Sequence, residues 1–380
     1  SINSSRGTNQ RRSMKALVVG GTGPTGPFIV NGLVERGYDV TIFHRGTHEI
    51  PEIPANVEHL HGDPHFAETI KQALGQRTFD LAVVTYGRIR FLAEALAGKI
   101  GRFVGVGGVA SYRGYMDPTV LSPVGLKVSV DEKAPVVDNE EELRFAYLIA
   151  ETEKVVLDCH PTAAYFRYPY VYGPYQLVPR EWCVIRRILD KRPHIVVADG
   201  GLTLFTHGYA ANLAHAVLLA IDKPEASSGQ LYNCGDEEQL TLHQVIEVIS
   251  DVMKYEWDIV NMPNSLAHPA RPYTMQETSH HRVVDLTKIK KQLGYRDVYP
   301  VEEAIAKTVE WYLQNRPEPG GEIETRLQDP FNYEAEDRLI RAYKESMQRV
   351  AAIPFEVQTD RPHPYAHPKK PGQERDHRAR

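Results

Sequence analysis

Only three cysteines occur in the 380 residues, Cys159, Cys183 and Cys234, and they stand far apart. That scarcity excludes a disulfide framework and leaves no metal-ligand spacing, so a reducing compartment, the cytoplasm, is expected. No apolar run approaches the ~18–20 residues that cross a bilayer. The longest, Ala214 to Ile221, is interrupted by His215. An apolar signal segment is also missing, because residues 1–13 are polar and hold three arginines. They are read as a disordered extension. His280-His281 has no partners at ligand spacing, so no metal is expected. What remains is an ordinary folded composition, 42% hydrophobic and 24% charged.

Charge is unevenly spread. The chain carries −5, yet residues 1–13 contribute +3 and residues 361–380 contribute +4, which leaves about −12 for residues 14–360. An acidic body argues against a nucleic-acid platform and for a small-molecule partner; a homodimer is compatible with it.

Short apolar runs alternate with helical spacing in the first half. Lys15–Val19, Asp39–Phe43, Asn56–His61, Phe79–Thr85 and Gly101–Val106 read as strands. Phe28–Arg36, Phe66–Leu74 and Ile89–Ala97 read as the helices between them, and Gly37 stops the first. This rhythm implies an α/β fold, a doubly wound parallel sheet covered on both faces, over residues 14–175. Residues 176–316 read as a smaller α/β lobe that binds substrate, with helices at Glu181–Leu189, Ala211–Ile221, Leu242–Met253 and Val301–Asn315. Its strands are Ile195–Ala198 and Gln230–Asn233; later segments are allowed to complete the core of the first domain. Residues 317–380 form an extension: Pro317–Pro330 is linker-like, Tyr333–Val350 helical, and the tail rich in proline.

The strongest chemical signal follows the first strand, in Gly20-Gly21-Thr22-Gly23-Pro24-Thr25-Gly26. Glycines there permit unusual dihedrals and close approach of the backbone to a pyrophosphate, and the next helix presents its positive end to that anion. No Gly-Lys-Ser/Thr follows, which disfavours a nucleoside-triphosphate loop. At the end of the second strand, where an acid would favour NAD, stands His44-Arg45-Gly46. A guanidinium suits a 2′-phosphate, so the cofactor is read as NADP in preference to NAD. Arg45 facing solvent or stacking on adenine is the alternative. Asp63 ends the third strand, placed either to accept from the adenine amino group or in a surface turn.

Together with Arg167-Tyr-Pro-Tyr-Val-Tyr-Gly-Pro174, Asp285-Leu-Thr-Lys288 and Leu293-Gly294-Tyr295, these segments resemble the extended short-chain dehydrogenase/reductase family, of NAD-dependent epimerase and dehydratase type. The resemblance covers about residues 14–315. It implies a Rossmann-type domain, with Pro169, Tyr170 and Val171 bordering the nicotinamide and Tyr86 beside the cofactor.

The family's acid–base machinery is where the sequence departs. A Tyr and a Lys four residues later normally share one helix face, the Lys lowering the phenol pKa. Aligned on Glu153, those positions hold Phe145 and Ile149; started from Tyr147, the partner is Glu151, which pushes a phenol the wrong way. The hydroxyl expected after the fifth strand falls on Gly108, with Ser111 the nearest substitute. Tyr147, Ser111 and His207 are therefore the catalytic candidates. Nucleotide-sugar members carry Gln-x-Arg where this chain has Thr203 and Phe205. Arg88, Arg113, Tyr172 and Arg180 are left to meet a small polar or anionic substrate. The reaction is read as reduction or oxidation, epimerisation or elimination. The alternative is a cofactor-sensing or RNA-associated scaffold that has lost catalysis.

Overall fold

The computed structural model describes residues 12–46, 49–356, 365 and 368–373. Most of the expected N-terminal extension and of the proline-rich tail lies outside the described residues. Two compact units divide at Asp329/Pro330.

The first unit is built on a seven-stranded sheet in the order β10-β6-β5-β4-β1-β2-β3, every pair parallel. Its strands are β1 (Lys15–Val19), β2 (Asp39–His44), β3 (Glu58–His61), β4 (Phe79–Val84), β5 (Ile100–Gly108), β6 (Ala164–Tyr168) and β10 (Gln230–Asn233). Helices α1 (Gly26–Glu35) and α6 (Ala210–Asp222) cover one face; α2 (Ala67–Leu74), α3 (Ile89–Leu96) and α4 (Arg144–Cys159) accompany the other. The pleat explains the apolar run in β1. Ala16 and Val18 enter the core shared with α1 and α6, while Leu17 and Val19 enter the opposite one. A strand buried on both faces has no polar side to alternate with.

Three features depart from the sequence reading. Gln230–Asn233, assigned above to the smaller lobe, instead edges the main sheet beside β6. Residues 112–143, between β5 and α4, fold into a small core of their own in which Val109, Tyr112, Tyr115 and Val130 pack with Val284. The linker-like stretch contains a helix, α11 (Glu322–Leu327). It is anchored on α5 (Arg180–Leu189): Arg186 and Trp182 both donate to Glu324, at 2.6 and 3.1 Å, and Arg187 to Asp329. Prolines on both sides hid these buried acids.

Beyond the sheet lie two parallel pairs, β7 (Tyr170–Tyr172) with β9 (His207–Tyr209) and β8 (His194–Ala198) with β11 (Asp258–Met262). Near them lie α7 (Leu242–Val252), α8 (Arg271–Thr274) and α10 (Val301–Gln314), whereas α9 (Thr287–Leu293) packs on α6 and β10 of the main sheet. Thr241 and Gln244 form a reciprocal capping box at the start of α7. In the second unit, α12 (Tyr333–Ala351) begins where the Asn332 side chain accepts from the Ala335 amide.

Candidate functional site

The glycine turn sits between the C-terminal end of β1 and α1. Gly20 has φ +94°, and a Cβ there would lie 2.4 Å from Thr85 Oγ1 and 2.7 Å from Tyr86 Cβ. The turn closes through Gly23 N–H to Gly20 O at 3.2 Å and Gly26 N–H to Gly23 O at 3.1 Å. Tyr168 ties it to β6 by donating to Thr25 Oγ1 at 3.3 Å. Among the described residues, no acceptor takes the amides of Thr22 and Thr25. Pro24 and Pro27 have no amide hydrogen, and the first turn of α1 holds no acid. Free donors at an uncompensated positive helix end fit a pyrophosphate.

At the end of β2, His44 is buried, and both ring nitrogens are engaged. Nδ1 accepts from the Gly46 amide at 3.0 Å, which places the proton on Nε2, and Nε2 lies 2.9 Å from His59 Nδ1. Burial, then His59 and His61, push its pKa down. His44 is thus neutral at pH 7, and its nitrogens are used within the protein rather than free for a ribose. Arg45 is half exposed, 3.8 Å from Asp63. Asp63 accepts from the His65 amide at 2.9 Å and pairs with its ring at 2.8 Å; these bonds hold its carboxyl below the usual range. Tyr86, just past β4, is exposed with its ring edge-on to His65.

Helix α4 is fixed in rotation by a buried ion pair: Arg167 Nε donates to both Glu153 oxygens at 2.9 Å, and its guanidinium lies 4.6 Å from the Tyr112 ring centre. Phe145, exposed, and Ile149 lie four residues apart on one stripe of α4. Tyr147 lies two residues, about 200°, around from Phe145. It shares its stripe with Glu151, which holds Lys154 at 2.6 Å. Ser111 is fully buried and its hydroxyl has no partner.

Tyr172, Arg180 and His207 are brought together, in a closed knot beside β7 and β9. Arg180, 1% exposed, donates through Nη2 to His207 Nε2, and its guanidinium faces the Phe205 ring at 4.7 Å. Its Nε lies 3.7 Å from Glu181, while Nε and Nη1 make no hydrogen bond. His207 Nδ1 turns to Gln239 Oε1 at 3.2 Å. Burial, then Arg180, hold the imidazole well below its ordinary pKa. With both nitrogens occupied, His207 is a neutral positioning group for Arg180 rather than the free acid–base group expected from sequence. Tyr170 donates to Glu181 at 3.1 Å, and Tyr172 to Asp236 at 2.5 Å. The cavity among Tyr172, Arg180, Glu181 and His207 is about 10 Å³, room for roughly one water.

The other candidates stay apart from this knot. Arg113 is paired with Glu142 at 2.7 Å, and Arg88 lies over the Phe66 and Phe91 rings. No hydrogen bond or ring contact joins Ser111 or Tyr147 to His207. Glu181, Asp236 and Gln239, central to the knot, had no sequence signal beyond a Gly-Asp turn at 235–236.

Asp236 also accepts from the Tyr209 amide and from Asn212, each at 2.9 Å, yet burial pushes its carboxyl up to about 6. A raised folded-state pKa favours the native state below the unfolded value, and that advantage is lost as pH rises through about 6. The rise from the ordinary carboxylate value to about 6 corresponds to roughly 3 kcal/mol. Urea unfolding is therefore expected to show the wild type losing stability relative to Asp236→Asn between pH 4 and 6. A constant difference between the two would refute this assignment.

No family model matches the chain. It spans about half the length or less of the first curated relatives it matches, 47% and 36% of two of them. A longer match is the chloroplast stem-loop binding protein of 41 kDa b of Arabidopsis thaliana, 23% identical over 315 residues and 77% of each chain. Among solved structures, the UDP-glucose 4-epimerase of Thermotoga maritima superposes with a TM-score of 0.64 at 17% identity, over 80% of this chain and 100% of that one. A dTDP-glucose 4,6-dehydratase from Bacillus anthracis, in complex with NAD, gives 0.61 at 17% identity, over 80% and 98%. The chain shares the fold of these two structures. The same kind of α/β architecture thus underlies that epimerase, that dehydratase and this protein. No helix among the described residues is long and apolar enough to cross a membrane.

Proposed function

We propose that the protein binds a nicotinamide dinucleotide, NADP in preference to NAD, and uses it on a small polar or anionic substrate. The reaction is a reduction or oxidation, an epimerisation or an elimination. The observation that carries this reading is the cradle of free amides at Thr22 and Thr25, backed by the start of α1. A bound nicotinamide supplies the hydride chemistry. The chain's own residues hold and orient it: the cradle takes the pyrophosphate, Arg45 the 2′-phosphate, and Tyr86, Pro169, Tyr170 and Val171 border the ring. Arg88 and Arg113 would meet an anionic substrate after releasing their present partners.

Arg45→Ala tests the cofactor preference. Calorimetry is expected to show NADP binding weakened about tenfold, the loss of one charge-assisted contact, with NAD little changed. Equal losses for both would refute the role of Arg45. Proton transfer falls to Ser111 or Tyr147. If Tyr147 is the acid–base group, Tyr147→Phe lowers kcat about a hundredfold or more, and an unchanged kcat removes it from the candidates.

The stripe of Phe145 and Ile149 on α4 favours a second reading, a dinucleotide-sensing or RNA-associated scaffold without catalysis. The likeness to a stem-loop binding protein points the same way. Titration with a stem-loop RNA across salt separates the two. The scaffold predicts binding that falls steeply with ionic strength, and the enzyme predicts none.

A further inference from the structure

Along α1, reaching Pro24 of the glycine turn at one end, lies a cavity of about 500 Å³ whose other walls the dinucleotide reading does not use. Its size is that of small-molecule sites, ~300–1,000 Å³. Its walls are aromatic: Phe28 from α1, Tyr175 from the turn after β7, Tyr299 before α10 and Trp311 on it. Its charged groups include Glu35 and Glu52.

The wall is prearranged. Tyr175 meets Trp311 edge to face at 4.9 Å and donates its hydroxyl to the Glu52 carboxylate at 2.7 Å. Burial, then Glu52, push that phenol up to about 12, so it stays a neutral donor. The cations bordering the cavity are spent. Arg36 is held bidentate by Asp222, each bond 2.8 Å, and burial with Arg36 nearby depresses the pKa of His215. Among the described residues the Glu35 side chain makes no hydrogen bond or close ion pair, though its charge acts on Arg36. Glu35 and Glu52 thus border the cavity, where the lining guanidinium of Arg36 is already paired with Asp222. Indole and phenol faces attract cations, best when the cation is weakly hydrated. The Tyr299 ring already holds one, Lys307 Nζ at 4.9 Å.

We propose that this cavity is a binding site for a small organic cation, a methylated ammonium group seated against Trp311 and Tyr175 with Glu52 as counter-charge. The aromatic wall and Glu52 are not residues of the proposed dinucleotide cradle, although the cavity reaches Pro24 beside it, and the test reads the two sites separately.

The experiment is titration of the full chain with choline, followed by calorimetry and by saturation-transfer NMR. The neutral isostere 3,3-dimethylbutan-1-ol is the control, and Glu52→Gln and Trp311→Leu are the variants. Saturable choline binding is expected, with the alcohol and both variants each about tenfold weaker, while NADP affinity is unchanged in Glu52→Gln. Absence of saturable choline binding would overturn the proposal. So would equal binding of the alcohol, or choline affinity indifferent to both substitutions.

Discussion

Gly26→Ala is expected to abolish dinucleotide binding while leaving a folded protein. A Cβ at Gly26 would lie 2.4 Å from Gly21 C, 2.5 Å from Gly21 O and 2.6 Å from Gly20 O. All three are backbone atoms, so no side chain can swing aside to accept it. The turn must open, which carries the Thr22 and Thr25 amides off their common anion. A loss of at least about a hundredfold in NADP affinity, roughly 2.7 kcal/mol, follows. Calorimetry on a variant with wild-type circular dichroism checks it. Affinity within about threefold of the wild type would mean that the pyrophosphate is held elsewhere.

The second large effect concerns stability. Glu153→Ala leaves Arg167 charged and buried without its carboxylate, since both side chains are only about 5% exposed. Breaking such a pair from one side costs about 3–5 kcal/mol, because the remaining ion keeps its desolvation penalty. Replacing both partners by methionine removes that orphan and is expected to recover most of the loss. Urea denaturation of the two variants measures this. A single substitution as mild as the double one would show that water reaches Arg167.

The parts of the fold legible in the sequence were those fixed by local pattern. The run Lys15–Val19 followed by glycines announces a strand, a tight turn and a helix start, because each is decided within a few residues. Which neighbour a strand pairs with is not local. Gln230–Asn233 has the same four-residue pattern in a small lobe or at the edge of the main sheet, and only the packing of α6 and α9 puts it beside β6. The candidate site divides on the same line. The glycine turn could be read directly. His44 looked available, but its nitrogens are consumed by the Gly46 amide and by His59, which comes from the next strand. His207 and Arg180, twenty-seven residues apart, looked like cleft residues; the pairing of β7 with β9 closes them on each other. Polar residues are read from sequence as reactive, whereas burial decides whether their valences are already spent.

The account rests on an anion cradle at the head of α1 that accepts a redox dinucleotide, and one titration bears on it most directly. Calorimetry of the full chain with NADP⁺, NADPH, NAD⁺ and NADH should give saturable, one-to-one binding, tighter for the phosphorylated pair. Heats no larger than dilution for all four would contradict it.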